Sequence, residues 1–180
     1  IRGIIFNRIK VGPKDIRKAG YSARNFRKKF SAEGDKQEFD AFEISVFDSG
    51  VGFYSSFSRQ ERTDDISLEE EWEIMRKCLE RHHDDAIPDV RSSHQGMGLY
   101  EVLRVLNRLK GRLEVRSGRT HGYRTFEPGE YKLQHESPEF IKRPGMPKAV
   151  LLDVKRKFFT VPSINEALVG ASIRVIVPLN

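Results

Sequence analysis

Two glycine-bearing turns contain the residues whose types and spacing are best suited to ligand binding. Residues 48–53 read Asp-Ser-Gly-Val-Gly-Phe at the end of an alternating apolar segment, and residues 94–99 read His-Gln-Gly-Met-Gly-Leu before a helical pattern. A glycine-rich turn that leads into a helix presents unpaired N–H groups, which favour a bound anion such as phosphate. A carboxylate at a strand end can accept a hydrogen bond from an exocyclic amine, so Asp48 is a candidate for recognising adenine.

Each turn also has a purely structural explanation. Asp-Ser-Gly after a strand is more often a tight turn, and Gly-x-Gly before a helix is often only a flexible entry to it. Neither turn matches the Walker pattern or the dinucleotide-binding fingerprint, so the nucleotide-binding folds that carry those motifs are not supported. His94 is as consistent with a solvated loop residue as with a phosphate contact.

Strands that position these turns are predicted from β-favouring side chains at 1–11 and from alternation of apolar and polar residues at 39–47. These two strands are expected to pair as a hairpin whose long basic connection, 14–36, lies outside the sheet. Residues 119–148 are rich in Gly, Pro and charge, and we expect an excursion between strands there. The remaining strands are predicted at 112–117, 149–154 and 171–179.

Two helices are predicted between the hairpin and the later strands. Ser67 followed by Glu70 forms a capping-box sequence, and apolar residues recur at helical spacing as far as residue 81. The second helix begins near Gly98 and ends at Gly111. Three apolar residues of the first helix are expected in the core, namely Trp72, Met75 and Leu79.

The order of these motifs and elements resembles that of the GHKL superfamily of ATPases. Gyrase, the heat-shock chaperone, histidine kinases and mismatch-repair ATPases belong to this superfamily. The residues that match its two glycine boxes are Asp48, Gly50 and Gly52 for the first box and Gly96, Gly98 and Leu99 for the second. Segments 111–117 and 170–179 are similar to the family's later strands, so the resemblance covers residues 39–117 and the last ten or so residues.

The resemblance implies an α+β two-layer sandwich, in which a mixed, mostly antiparallel sheet carries helices on one face. It also implies that ATP or ADP is bound, with the adenine amine at Asp48, partly through water, and the phosphates at the second turn. Residues 53–95 would form a lid that closes over the nucleotide. The nucleotide-binding residues that it implies are Asp48, Gly50, Gly52, Phe53, His94, Gln95, Gly96, Met97, Gly98, Leu99 and Ser172.

The chain departs from the family pattern in two places. The N-box helix, which supplies a magnesium-binding Asn and usually the catalytic Glu, is not found, and Asn25 lacks the preceding Glu. We expect either an N-box upstream of Ile1 in a longer protein or a degenerate binder. Magnesium is expected only with an N-box outside this chain, and no catalytic residue is assigned. The Thr of the family's final strand is replaced by Ala171, with Ser172 beside it as a substitute.

Composition limits the classes of protein to which the chain can belong. With 38% apolar residues in a length of 180, it is expected to form one globular domain, and it has no apolar stretch of the roughly 20 residues that a membrane-spanning helix needs. Cys78 is the only cysteine, which excludes an intrachain disulfide and fits a cytoplasmic location. Residues 82–85 (His-His-Asp-Asp) are metal-ligand types, but adjacent side chains on a helix end do not face one point, so no metal site is predicted.

The net charge of +6 suits a polyanionic partner, and three functions stay open. The first is the ATP- or ADP-binding module of a GHKL-type ATPase, which works with other domains or a partner protein and hydrolyses ATP or transfers phosphate only if an N-box is supplied outside this chain. The second is the catalytic domain of a bacterial histidine or serine protein kinase. The third is a degenerate ATPase fold that binds protein or nucleic acid. For nucleic acid the candidate surface is the basic segment 14–36 with Tyr21, Phe26 and Phe30, although a solvated loop with its aromatics on the core is the favoured interpretation.

Overall fold

The computed structural model describes residues 2–12, 39–61, 63, 65–79, 97–126, 151–156 and 161–179. The described part of the chain is a mixed α+β fold with one six-stranded sheet. Its elements in chain order are β1 (Arg2–Val11), β2 (Phe39–Asp48), α1 (Gly52–Ser58), α2 (Leu68–Lys77), α3 (Met97–Leu109), β3 (Arg112–Gly118), β4 (Thr120–Thr125), β5 (Leu152–Asp153) and β6 (Leu168–Pro178). None of these helices is long and apolar enough to cross a membrane.

The strands lie in the order β1-β2-β6-β3-β4-β5, and each pairing is antiparallel. The predicted hairpin of β1 and β2 is confirmed, since Arg2 pairs with Asp48 and Val11 pairs with Phe39. The expectation of a mixed sheet is wrong for the described strands. The reason is that β6, the last strand, inserts between β2 and β3 and runs antiparallel to both.

One strand lies inside the segment that was predicted to be an excursion, 119–148. Gly118 adopts a φ of 54°, which allows a tight turn, and β4 then runs back along β3 with Gly122 opposite Val115. Residues 127–150 lie outside the described residues. The strand predicted at 149–154 is present only as the two residues of β5.

The predicted capping box is confirmed at the start of α2. The hydroxyl of Ser67 accepts a hydrogen bond from the backbone N–H of Glu70 at 3.1 Å, and three glutamates follow in the first turn. A negative charge at this end is favoured by the helix dipole. The described helix ends at Lys77 with Cys78 as its C-cap, four residues before the predicted end.

The core lies between α2, α3 and one face of the sheet. Leu113 and Val115 of β3 are fully buried there, and Ile173 and Val175 of β6 pack against the same cluster. We call this side of the sheet the helix face. The residues of α2 and α3 that complete the cluster are Trp72, Met75, Leu79, Tyr100, Leu103 and Leu106, which confirms the core positions predicted for Trp72, Met75 and Leu79.

A buried ion pair fixes α2 to the turn between β3 and β4. The carboxylate of Glu71, only 3% exposed, accepts hydrogen bonds from Nε and from the backbone N–H of Arg119, both at 2.8 Å. The guanidinium of Arg119 also donates to the carbonyl of Ile66, at the entrance to α2. Removing one partner of a buried ion pair is strongly destabilising, so this contact holds the turn in place.

Candidate functional site

Asp48 ends β2 on the helix face of the sheet. Val46, two residues earlier, pairs with Ile173 of the core, and side chains two residues apart in a strand share a face. One carboxylate oxygen, Oδ1, accepts a hydrogen bond from the backbone N–H of Gly50 at 2.7 Å. Among the described residues the other oxygen, Oδ2, has no hydrogen-bond partner, so it can accept one from a ligand.

Two glycines close to Asp48 in the structure have positive φ angles, which only glycine adopts readily. Gly52 has a φ of 76°, and a β-carbon there would lie 2.7 Å from Oγ of Ser117. Gly170 has a φ of 90°, and a β-carbon there would overlap the carbonyl oxygen of Asp48. The first glycine turn and the start of β6 are therefore in direct backbone contact.

Ser117, near the end of β3, joins these two segments, although no motif in the sequence indicates its role. Its buried hydroxyl donates to the carbonyl of Gly170 at 3.1 Å and accepts from the backbone N–H of Phe53 at 3.0 Å. Phe53, one of the residues implied by the resemblance, is half-buried and packs against the core. The role of Ser117 becomes visible only through the register, in which Ala171 pairs with both Ser117 and Asp48.

Ser172 does not lie beside the carboxylate of Asp48. Its register partners are Phe47 and Arg116, whereas Asp48 is opposite Ala171. Because side chains alternate along a strand, the side chain of Ser172 lies on the opposite face of the sheet. Ala171 occupies the position on β6 that faces Asp48, and its methyl group offers no donor to the second carboxylate oxygen; the neighbour of Asp48 on the other side is Arg2 of β1.

The second glycine turn is only partly described. His94, Gln95 and Gly96 lie outside the described residues, and α3 begins at Met97. Gly98 is exposed, and a β-carbon built on it would contact nothing within 4 Å. Leu99 is half-buried and packs against the core, which is a structural role. The structure therefore shows open space at Gly98 but does not join the second turn to Asp48.

A cleft of about 230 Å³ lies next to the first glycine turn, between α1, α2 and the ends of β3 and β6. It borders Asp48 through Gly50 and Gly170, but Asp48 is not part of its wall. Its wall contains two carboxylates, of Glu61 and Glu71, and no Lys or Arg from the described part of the chain. Glu71 is paired with Arg119, so the acidic character of this wall comes from the exposed Glu61, which does not suit a polyphosphate.

The opposite face of the sheet carries a network of charged side chains. Glu114 pairs with Arg112 at 2.7 Å and with Arg174 at 3.2 Å. Burial opposes ionisation of Glu114, but these two guanidinium groups outweigh burial and lower the pKa of its carboxyl. Burial lowers the pKa of the nearby His121, and the positive charges of Arg116 and Arg112 add to this against the opposing effect of Glu114. Glu43 also pairs with Arg174, so the network holds three guanidinium groups, of Arg112, Arg116 and Arg174, against two carboxylates.

In the ranges that the structure describes, no group of three or more His, Cys, Asp or Glu side chains could hold a metal ion. Residues 82–85, whose composition suggested ligands, lie outside those ranges. No residue is therefore assigned to magnesium.

Comparisons with known proteins give no relative for this chain: no family model, no curated protein and no solved structure matches it significantly. The resemblance to GHKL ATPases therefore depends on the motifs in the sequence alone.

Proposed function

We propose that this chain binds ATP or ADP, with adenine against Asp48 on the helix face of the sheet. In this proposal the described sheet and helices belong to a two-layer, histidine-kinase-like fold. The order of the sequence motifs supports that fold, as does the position of Asp48 at the end of a strand.

The proposal depends on the hydrogen bonding of the two oxygens of the Asp48 carboxylate. Oδ1 is held by the N–H of Gly50, which fixes the orientation of the group, while Oδ2 has no partner among the described residues. The neighbouring Ala171 has no polar side chain that could compete for it. An exocyclic amine that donates to this oxygen makes a hydrogen bond to a charged group, which contributes about 1.5–3 kcal/mol.

The phosphates are proposed to lie at the first turn of α3. This helix has 13 residues, so its aligned peptide dipoles favour an anion at its N-terminal end. The open space beside Gly98 allows the backbone of that turn to approach a ligand. The cleft beside α1 is a poor alternative, because the exposed Glu61 would repel a triphosphate and Glu71 is already paired with Arg119.

The proposal covers binding alone. Hydrolysis or phosphotransfer would need the magnesium-binding Asn and the Glu of an N-box, and neither is found in this sequence. Asp48 and Gly98 suit the base and the phosphates of a nucleotide, whereas the described residues contain no cluster of three or more His, Cys, Asp or Glu side chains that could hold a metal ion.

The test compares ATP with inosine triphosphate, which carries a carbonyl where adenine carries its amine. A carbonyl facing the carboxylate of Asp48 would place two acceptors together and leave both without a donor. We expect isothermal titration calorimetry to show that ATP binds at least about tenfold more tightly, a difference of about 1.4 kcal/mol. Equal affinity for the two nucleotides would contradict the adenine contact, and an absence of binding would contradict the whole proposal.

A further inference from the structure

Two exposed valines line the cleft between α1, α2 and the ends of β3 and β6. Val51 is 69% exposed and Val169 is 75% exposed, and both belong to the wall of the cleft. Single exposed apolar residues are normal, but apolar residues that flank a cavity are typical of interaction sites. Inside the cleft, the side chains of Phe53, Met75 and Leu168 continue the apolar surface.

The charge on this cleft is opposite in sign to that of the whole chain. The chain carries a net charge of +6, yet the described wall contributes only carboxylates, from Glu61 and Glu71. The charge of Glu71 is balanced by its ion pair with Arg119. Glu61 is exposed, and the exposed Glu70 accepts a hydrogen bond from Tyr54 of the wall at 3.0 Å. The cleft therefore joins an apolar interior to an acidic rim.

The walls of the cleft are fixed before any ligand binds. Ser117 links the start of α1 to β6 through hydrogen bonds to Phe53 and Gly170, and the buried pair of Glu71 and Arg119 fixes α2. A preformed pocket avoids the ordering cost of binding, and pockets that receive one anchoring side chain dominate the energy of many interfaces.

We propose that this cleft is the docking site for a segment of a partner protein that carries an apolar side chain next to Lys or Arg. The apolar side chain enters the cleft beside Val51 and Val169, and the basic side chain lies against Glu61. The cavity of about 230 Å³ accommodates one side chain of the size of Leu or Met. The acidic rim selects a cation, which separates this site from the proposed nucleotide site.

The test is a selection of random peptides displayed on phage against the immobilised chain. We expect enrichment of peptides with Leu, Met or Phe next to Lys or Arg, and the affinity of the best synthetic peptide is then measured by fluorescence anisotropy. Val169→Lys and Glu61→Lys should each weaken its binding at least tenfold. Val105→Lys, which changes an exposed valine on α3, should change the affinity less than twofold. All three positions are exposed, and urea denaturation checks that each variant folds.

Several results would overturn the proposal. They are the absence of any enriched peptide, enrichment of peptides without basic residues, and equal loss of binding in Val169→Lys and Val105→Lys. Sedimentation of the chain alone tests another occupant. A dimer that dissociates in the Val169→Lys variant would assign the cleft to a second copy and overturn the assignment to a partner.

Discussion

Gly170 packs its α-carbon directly on the backbone carbonyl of Asp48. The two residues lie on neighbouring strands, where Asp48 is paired with Ala171, and a β-carbon on Gly170 would overlap that carbonyl oxygen. The residue at position 170 therefore controls how closely β6 approaches the end of β2. Since the proposed adenine contact is at the end of β2, the start of β6 determines where the carboxylate is held.

Replacing Gly170 with Ala should destabilise the fold. The substitution places a side chain at a φ of 90° and pushes it into the carbonyl of Asp48, so we expect a loss of about 3 kcal/mol in the free energy of unfolding. Urea denaturation measures the change. The control is Gly98→Ala in the first turn of α3, which meets open space and should change stability by less than about 1 kcal/mol. Wild-type stability of Gly170→Ala would contradict the packing described.

Replacing Ser117 with Ala should destabilise the fold through lost hydrogen bonds. The change leaves the carbonyl of Gly170 and the N–H of Phe53 without the hydroxyl that joins them, at a cost of about 1–3 kcal/mol. Ser56→Ala, in the exposed part of α1, should stay within about 0.5 kcal/mol of the wild type. Equal effects of the two variants in urea denaturation would show that the hydroxyl of Ser117 is not a structural link.

The thiol of Cys78 should react slowly in the folded protein. Burial raises the pKa of Cys78 from 9.0 to about 11. At pH 8 the thiolate fraction is therefore about 100-fold lower than in the unfolded chain, and reaction with a disulfide reagent should slow by a similar factor. Unfolding in urea should restore the ordinary rate. A folded rate equal to the unfolded rate would contradict the burial of this thiol.

Because the pKa of Cys78 is raised in the folded protein, the free energy of unfolding should fall as the pH becomes alkaline. The unfolded chain loses the thiol proton near pH 9.0, whereas the folded chain keeps it until about pH 11, so the contribution of Cys78 is complete below pH 9.0 and is lost as the pH rises to about 11. The contribution of Cys78 to the free energy of unfolding is about 3 kcal/mol. Comparing wild type with Cys78→Ala in urea between pH 8 and pH 11 isolates this group. If the stabilities of the wild type and of Cys78→Ala change equally with pH, the raised pKa of Cys78 is refuted.

Local patterns in the sequence were enough to predict the longer elements. The hairpin of β1 and β2 follows from β-favouring side chains and alternation, and the start of α2 follows from Ser67 and Glu70, whose contact the structure shows directly. By contrast, α1 has seven residues, too few to show a period, and β4 contains Gly122 in a segment that reads as irregular. Short elements of this kind are stabilised by packing with distant residues.

From the sequence, only those residues of the site that interact within one turn could be predicted. Asp48 and Gly52 are visible in one turn, whereas the role of Ser117 depends on the insertion of β6 between β2 and β3. The same long-range register places Ser172 on the wrong face for a contact with Asp48, a result that no spacing in the sequence could reveal.

The central claim is that the carboxylate of Asp48 binds the amine of adenine. Asp48→Asn keeps the size of the side chain and an oxygen for Gly50, but it turns a donor toward the amine. Calorimetry with ATP on this variant tests the claim most directly, with Asp40→Asn at the other end of β2 as the matched control. We expect Asp48→Asn to lose at least about tenfold in affinity, or about 1.4 kcal/mol, while Asp40→Asn binds as the wild type does. Equal affinity of the two variants for ATP would contradict the account.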